Sequence, residues 1–312
     1  MMDSRQPRAL GGDAGFRVAD GLAVGLTPGR MRGRAFARPF HGMRVAAPSP
    51  DAGGELLTRC RQLTTVLGPA VVFSHATAAR LWRMPLPARV SEQLHTLSIG
   101  TTAVRRPGVI GWARDAPGPP VFTGNGIRLT GPVDTWVALA TMTAARGGAL
   151  TREELVAVGD FVISGERLAY GRASPLATWA ELAAAVSAHG SRRGARALAW
   201  ALERVRSPVD SPAETRLRLG LIAAGLPEPR VQPAVETRAG TRHPDLGYLE
   251  QRVLLEYLGD VHRTDRDAWR KDLTRVQLFE DAGYRVIMVG ADDISLAGLP
   301  ALAARVRRAL ER

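Results

Sequence analysis

The spacing of apolar residues in the last third of the chain predicts seven elements in the order αβββαβα. In chain order they are a helix from Ser211 to Gly225, strands over residues 231–235, 243–248 and 253–258, a helix from Thr264 or Asp265 to about Ala282, a strand over residues 284–289 and a helix capped by Asp292. A serine followed by a proline begins a helix well, and a glycine after the last apolar position ends one. Because helices and strands alternate, the pattern indicates an α/β (α+β) domain over residues 207–312.

The first fifty residues have a different pattern, typical of two short helices followed by a hairpin. The helices meet at Gly25, and the second has Thr27 as its N-cap and a proline in its first turn. Residues 36–45 then alternate as a β-hairpin does. Helix, turn, helix and β-wing is the order of a winged helix, predicted here over residues 15–50. The polar, glycine-rich residues 1–14 are expected to be a disordered tail.

The region between these two modules mixes helical and strand patterns. Helices are predicted over residues 55–66, 74–82, 132–142 and 151–163, and strands over residues 70–73, 94–99, 109–112 and 121–129. The last of these helices opens with a capping box at Thr151. His75 and His95 are expected to be core or capping histidines. We therefore predict a mixed α/β region over residues 55–172 and an alanine-rich helical linker over residues 173–206.

The net charge of +12 is unevenly distributed along the chain. Residues 207–312 contain 16 basic and 16 acidic residues, whereas residues 1–206 contain 26 and 14. The excess therefore lies in the first two thirds, where a polyanion such as DNA would bind. Three arginines on or near the second short helix are the candidate DNA contacts: Arg30, Arg32 and Arg34. A solvated basic face is the alternative.

The composition also excludes several classes of protein. No run approaches the roughly eighteen apolar residues that a membrane span needs, and the N-terminus lacks the apolar segment of a signal peptide. The single cysteine, Cys60, excludes an internal disulfide framework and a cysteine-rich zinc site. We therefore expect a cytoplasmic protein without a membrane partner.

Three acids of the C-terminal domain are the candidate catalytic and metal-binding residues. Asp245 and Glu256 lie on successive strands that antiparallel pairing can bring to one edge of the sheet, and Glu214 lies in the first turn of the preceding helix. Phosphodiester hydrolysis needs a water nucleophile and stabilisation of negative charge, which Mg²⁺, or Mn²⁺ in its place, supplies. Each acid also has a structural alternative. Glu214 could interact with the helix dipole, Asp245 could be an ordinary turn residue, and Glu256 could form a salt bridge.

Four ordered segments of residues 207–312 carry a family resemblance. They read SPAETRLRLGLIAAGLPEP, HPDLGY, LLEYLGDVHR and WRKDLTRVQLFEDAGYRVIMV. Together they resemble the very-short-patch-repair-like endonuclease domains of the PD-(D/E)XK superfamily. The resemblance implies a restriction-endonuclease-like fold in which Glu214, Asp245 and Glu256 bind the metal. It also implies that His262 lies close to the site, as a general base or leaving-group partner.

A second resemblance covers the region before this domain. The segments HATAARLWRMPLP, LTGPVDTWVALA and LTREELVAVGDFVI follow the predicted winged helix. They resemble antitoxins and regulators of the abortive-infection (type IV toxin–antitoxin) class. This resemblance implies DNA and a toxin protein as partners.

One departure from the family motif bears on activity. The motif has a lysine two residues after the second acid, and short-patch-like relatives commonly show an acid there, whereas this chain has Leu258. A leucine side chain neither binds a metal nor activates a water. Because Lys271 is the only lysine and lies on the following helix, either His262, Lys271 or Arg275 supplies the missing charge, or the domain has lost part of its metal site.

Three functions follow from these patterns. The first is a Mg²⁺-dependent DNA endonuclease that the winged helix delivers to DNA. The second is a non-catalytic DNA-binding regulator, and the third is an antitoxin that binds a protein partner. Convergence of the three carboxylates in an open cleft would favour the endonuclease, and an arginine such as Arg275 bound to them would favour the regulator.

Overall fold

A computed structural model describes residues 14–47, 55–115, 119, 121–168, 171–258 and 266–311, with the backbone alone for residues 266–272. The chain forms two compact units, residues 1–150 and 151–312, and both mix helices with strands, as the predicted α/β class requires. The five predicted segments are finer than this division and stay predictions. Apart from Ala14, the predicted disordered tail lies outside the described residues. No described helix has the length and apolarity that crossing a membrane requires.

The first unit begins with a three-stranded sheet and two short helices. Its elements are strand β1 (Phe16–Arg17), helices α1 (Val18–Ala23) and α2 (Pro28–Arg32), and strands β2 (Phe36–Ala37) and β3 (Met43–Ala46), with the strand order β1-β3-β2. Both predicted helices and the hairpin are present. Thr27 caps α2, because its hydroxyl accepts a hydrogen bond from the backbone amide of Arg30 at 3.2 Å. Strand β1 was not predicted, since two residues are too few to show alternation.

The rest of the first unit surrounds a six-stranded sheet. Its elements are α3 (Leu56–Thr64), β4 (Val71–Phe73), α4 (His75–Leu81), β5 (Leu94–Ile99), β6 (Arg105–Arg106), β7 (Val109–Arg114), β8 (Val121–Gly124), β9 (Ile127–Thr130) and α5 (Pro132–Leu139). The strand order is β6-β7-β5-β4-β9-β8. Buried Leu63, Phe73 and Leu94 form part of its core. The strand predicted over residues 121–129 is a hairpin, because the chain turns at Asn125 and Gly126 with positive φ.

The second unit begins with three helices and a small hairpin. These elements are α6 (Arg152–Ser164), β10 (Arg167–Leu168), β11 (Gly171–Arg172), α7 (Trp179–His189) and α8 (Ala195–Leu202). The capping box of Thr151 and Glu154 opens α6 as predicted. The helical linker predicted over residues 173–206 contains two helices, because Gly190 and Gly194 adopt a positive φ that ends one helix before the next begins.

The remainder of the second unit contains a four-stranded sheet with the predicted αβββαβα order of its main elements. They are α9 (Pro212–Ala223), β12 (Arg230–Val231), β13 (Val235–Thr237), β14 (Gly240–Arg242), β15 (Leu246–Tyr248), β16 (Val253–Tyr257), α10 (Arg266–Asp281), β17 (Arg285–Val289) and α11 (Leu299–Leu310). The sheet has the order β12-β15-β16-β17. Strand β15 is antiparallel to both neighbours, and β16 and β17 are parallel.

Two sequence predictions for this region are wrong in detail. The strand predicted over residues 231–235 is interrupted, because Gln232 has a φ of 41° and is followed by a proline, so β13 and β14 form a separate hairpin. Asp292 does not cap the last helix. That helix starts six residues later at a Gly298 N-cap, with a proline in its first turn.

The four-stranded sheet has buried apolar residues on both faces. Leu255 packs with Leu217 of α9 and Val306 of α11. Leu254, which alternation turns to the opposite face, packs with Phe279 of α10. The strand ends that carry the candidate acids are therefore held between two layers of helices.

A buried ion pair joins α6 to α9 within this unit. Arg218 is fully buried, and its guanidinium lies 3.2 Å from the Oδ2 atom of Asp160 and 2.9 Å from the Oε1 atom of Glu228. The Asp160 carboxylate also accepts hydrogen bonds from the Thr215 hydroxyl and the Arg206 backbone amide, each at 2.7 Å. Burial raises the pKa of Asp160 to about 6, although Arg218 opposes that shift. The network thus satisfies charges that would otherwise be costly to bury.

We expect Arg218→Met to lower the free energy of unfolding by about 3–5 kcal/mol, because the Asp160 carboxylate would stay buried without its cation. The double variant Asp160→Leu/Arg218→Met should lose less than the two single changes added together. Urea denaturation followed by circular dichroism measures both. Arg216→Met, at an exposed position of the same helix, is the control. Equal losses in Arg216→Met and Arg218→Met would contradict this role.

Candidate acidic site and basic surface

The register of β15 against β16 brings Asp245 and Glu256 together at one end of the sheet. Leu246 pairs with Leu255, so the next step of the same register sets Asp245 across from Glu256. The Asp245 carboxylate accepts a hydrogen bond from the backbone amide of Tyr257 at 2.7 Å, which ties it to the end of β16. The predicted meeting of these two acids by antiparallel pairing is therefore present.

Glu214 is buried in the first turn of α9, where its carboxylate helps to cap the helix and has a raised pKa. Its carboxylate accepts hydrogen bonds from the Asp210 backbone amide at 3.1 Å and from the Ser211 hydroxyl at 2.9 Å. Burial, and then the negative charge of Asp245, raise the pKa of Glu214 to about 8. The negative charges of Glu214 and Asp245 therefore affect each other across the space between α9 and the sheet.

Glu256 is paired with an arginine instead. The Nε atom of Arg275 on α10 lies 3.0 Å from the Oε1 atom of Glu256, and a terminal nitrogen of the same guanidinium donates to the backbone carbonyl of His243. Alternation places Glu256 on the face of Leu254, which is the face that packs on α10. The salt-bridge alternative for Glu256 is therefore present, with the arginine that the sequence had pointed to.

Among the described residues, two of the candidate carboxylates repel each other and the third is paired with an arginine. No group of three or more His, Cys, Asp or Glu side chains in the described part of the chain is arranged to hold a metal ion. Glu256 is paired with Arg275, whereas the repulsion between Glu214 and Asp245 would be relieved by a divalent cation between them. Mg²⁺ is often bound by one or two carboxylates and keeps several waters, so this pair suits its donor preference.

Three further residues were predicted at or beside this site: Leu258, His262 and Lys271. Leu258 follows the end of β16, and its backbone amide donates to the carbonyl of Val289 at 2.8 Å, so its apolar side chain lies at the strand end. His262 lies outside the described residues. Lys271 belongs to α10, but its side chain also lies outside the described part of the chain.

The predicted DNA contacts are exposed. Arg30 and Arg32 form the last turn of α2, and Arg34 follows two residues after the helix ends. The Nε atom of Arg32 donates to the carbonyl of Pro28 at 3.2 Å, which leaves the rest of its guanidinium available to solvent. All three arginines are thus exposed, and DNA contact by them stays a prediction.

A second group of basic residues was not predicted. Arg17, Arg38, Arg44 and Arg106 line one cleft of the first unit. The first three come from the small N-terminal sheet region, but Arg106 lies on β6, more than sixty residues further along the chain. No local pattern could join them, because the sequence shows charge but not which distant segments meet.

His75 and His95 are buried, as expected for core histidines. The imidazole of His75 stacks on Trp112 with 4.0 Å between ring centroids, and the Trp112 indole N–H donates to the Nδ1 atom of His95 at 3.2 Å. Burial is the main cause that lowers both pKa values, that of His95 to about 4. Both histidines are therefore neutral at pH 7 and have a packing role.

We expect the free energy of unfolding to fall as the pH rises from about 5 to 8, by up to about 1.4 kcal/mol per pH unit from Glu214 alone. The pKa of this carboxyl is raised to about 8 in the folded state, so its stabilising effect is complete below the unfolded-state pKa and is lost as the pH rises through 8. Urea denaturation across this range measures the slope. Glu214→Gln should remove the loss, whereas Glu280→Gln, at an exposed position, should not. An unchanged slope in Glu214→Gln would contradict the assignment.

Comparison with known proteins found no relative of this chain: no family model, no curated protein and no solved structure matches it. The two resemblances drawn from its motifs therefore stay expectations.

Proposed function

We propose that the C-terminal domain is a restriction-endonuclease-like phosphodiesterase that cleaves DNA with Mg²⁺, or with Mn²⁺ in its place. The observation that carries this proposal is the pair formed by Glu214 and Asp245, whose mutual repulsion contributes to a Glu214 pKa of about 8. Two carboxylates whose negative charges repel each other are suited to share a divalent cation.

The chain's own residues have distinct parts in this proposal. Glu214 and Asp245 would hold the ion, which supplies stabilisation of negative charge on the phosphate and leaving oxygen. The Tyr257 amide keeps the Asp245 carboxylate oriented at the strand end. Arg275 lies beside this pair through its contact with Glu256, and with 33% of its side chain exposed it can donate to a phosphate oxygen.

Affinity for DNA has to come mainly from the first two thirds of the chain. Residues 207–312 carry no net charge, whereas residues 1–206 carry the whole excess of +12. We propose that α1, α2 and the β2–β3 hairpin act as a winged helix. Their exposed arginines, Arg30, Arg32 and Arg34, would contact DNA phosphates.

A second candidate function is a non-catalytic DNA-binding regulator or antitoxin, with DNA and a toxin-class protein as partners. The ion pair between Arg275 and Glu256 favours this alternative, because the guanidinium neutralises a carboxylate that would otherwise bind a metal ion. Leu258 favours it as well, since it removes a charged group from the motif. In this alternative the C-terminal domain is a binding module, and the basic N-terminal residues carry the activity.

We expect the wild-type protein to cleave plasmid or oligonucleotide DNA only when Mg²⁺ or Mn²⁺ is present. Asp245→Asn and Glu214→Gln should each lower the cleavage rate by about 100-fold or more, because each removes a carboxylate from the cation. Glu280→Gln is the control, since it removes an exposed carboxylate of α10. Absence of metal-dependent cleavage on duplex, mismatched and branched DNA would contradict the phosphodiesterase proposal.

If Leu258 limits the site, Leu258→Asp should raise the metal-dependent cleavage rate by about 10-fold or more, because it adds a third carboxylate beside the pair. Leu258→Asn introduces a side chain of the same shape as aspartate but without its charge, so it separates the effect of the carboxylate from the loss of leucine packing. Gel-based cleavage assays and thermal unfolding with and without Mg²⁺ measure both variants. Equal rates in Leu258→Asp, Leu258→Asn and wild type would place the limit elsewhere and favour the regulator.

A further inference from the structure

The first unit contains an open cleft that is lined by four arginines. Arg17, Arg38, Arg44 and Arg106 contribute to its walls, together with His41 and with apolar or glycine residues. We call it the arginine cleft. Its volume is about 1020 Å³, which is large enough for several connected chemical groups. Three separate parts of the unit form it: the β1–α1 junction with the β2–β3 hairpin, the segment after α3, and β6.

The charge of the arginine cleft is not balanced within the described part of the chain. No aspartate or glutamate lines the cleft, and among the described residues none of its four arginines forms an ion pair with a carboxylate. Arginines of the second unit differ in this respect, since Arg218 and Arg275 are both paired. The cleft therefore concentrates positive charge that an anionic ligand can neutralise.

The four guanidinium groups are positioned by neutral partners. Arg17 donates to the carbonyl of Thr65 and Arg38 to that of Arg32, while Arg106 donates to the carbonyl of His41 at 2.7 Å. Arg44 donates to two carbonyls, those of Met31 and Met43, each at 2.7 Å. Each guanidinium has five N–H donors, and these bonds use one or two of them, so donors remain for a ligand while the side chain is already oriented.

The guanidinium of Arg44 also lies close enough to those of Arg38 and Arg32 to be affected by their charge. Burial is the largest cause that lowers the pKa of Arg44, and the positive charges of Arg38 and Arg32 lower it further. Like charges held together in this way favour binding of an anion, because the anion removes their repulsion.

We propose that the arginine cleft binds consecutive phosphate groups of the DNA backbone, next to the predicted winged-helix face. Guanidinium forks match phosphate oxygens in bidentate geometry, and four of them along one open cleft match a row of phosphates better than a single small anion. Contacts of this kind position DNA without reading its sequence. The inference rests on the proposed DNA-binding function and adds the residues that hold the backbone. An inorganic polyphosphate also presents a row of phosphate groups, so the experiment has to distinguish it from DNA as the ligand.

The test measures binding of the full chain to a labelled duplex of about 20 base pairs by fluorescence anisotropy, at several salt concentrations and in EDTA. EDTA prevents metal-dependent cleavage, so binding is read independently of the acidic site. We expect Arg38→Gln/Arg106→Gln to weaken binding by about 10-fold or more and to reduce the slope of log Kd against log salt by about 1 for each arginine. Arg38→Lys/Arg106→Lys keeps the charges and should retain most of the affinity.

Two control variants separate this inference from the proposed function. Arg105→Gln removes one positive charge, from the neighbour of Arg106 on β6 that does not line the cleft, and should change Kd by less than about 2-fold. Arg30→Gln/Arg32→Gln tests the predicted helix face. If the wild type binds the duplex but the cleft variant binds as tightly as Arg105→Gln, the inference is overturned while DNA binding by the helix face stands. If the wild type does not bind the duplex at all, both fall.

Inorganic tripolyphosphate, titrated by calorimetry, identifies the source of the phosphate. Binding that depends on Arg38 and Arg106, with no duplex binding, would assign the cleft to a free polyphosphate and overturn the DNA ligand. Duplex binding that depends on these arginines, with tripolyphosphate only as a weak competitor, supports the backbone assignment. Loss of cleavage alone, with duplex binding intact in EDTA, bears on the acidic site and leaves the cleft unaffected.

Discussion

The antiparallel pairing of β15 with β16 is the constraint on which the candidate acidic site depends. Successive side chains of a strand point to opposite faces, so a slip of one residue would turn Glu256 away from α10 and bring Leu255 to it. Burial opposes such a slip, because Leu246 and Leu255 are both packed into the core on one face and Leu254 on the other. The positions of Asp245 and Glu256 therefore follow from packing of apolar neighbours, and any chemistry of the acids uses a geometry that the core maintains.

Within that geometry, the three acids have different electrostatic environments. Glu256 is compensated by Arg275, whereas Glu214 lies against Asp245 and has its pKa raised by burial and by that charge. A buried ion pair is favourable only when its partners are well matched, and two neighbouring carboxylates favour either a shared proton or a cation. Glu256 is thus a neutralised acid, whereas Glu214 and Asp245 form a repelling pair. This contrast is the reason why a cation-dependent function and a non-catalytic one both have support in specific residues.

The two units also differ in how they use arginine. In the second unit, Arg218 joins α6 to α9 through the buried Asp160 carboxylate, and Arg275 fixes α10 to the end of β16. In the arginine cleft, the guanidinium groups are held by backbone carbonyls, which orient them without cancelling their charge. An arginine that forms a structural ion pair and one that is left to bind a ligand look alike in a sequence, because the residue type is the same. They differ in what the fold brings opposite each guanidinium.

The sequence by itself determined most local elements, because their causes are local. Thr27, Thr151 and Ser211 cap helices through residues three positions away, and β-strand alternation marks the strand that follows Asp245 and the strand that carries Glu256. It also indicated which acids would meet and named Arg275 as a possible partner. Only the tertiary structure decided that Arg275 pairs with Glu256, that Glu214 repels Asp245, and that residues from β1 to β6 line one cleft. Those outcomes depend on distances between segments far apart in the chain, and hydrophobic periodicity carries no information about such distances.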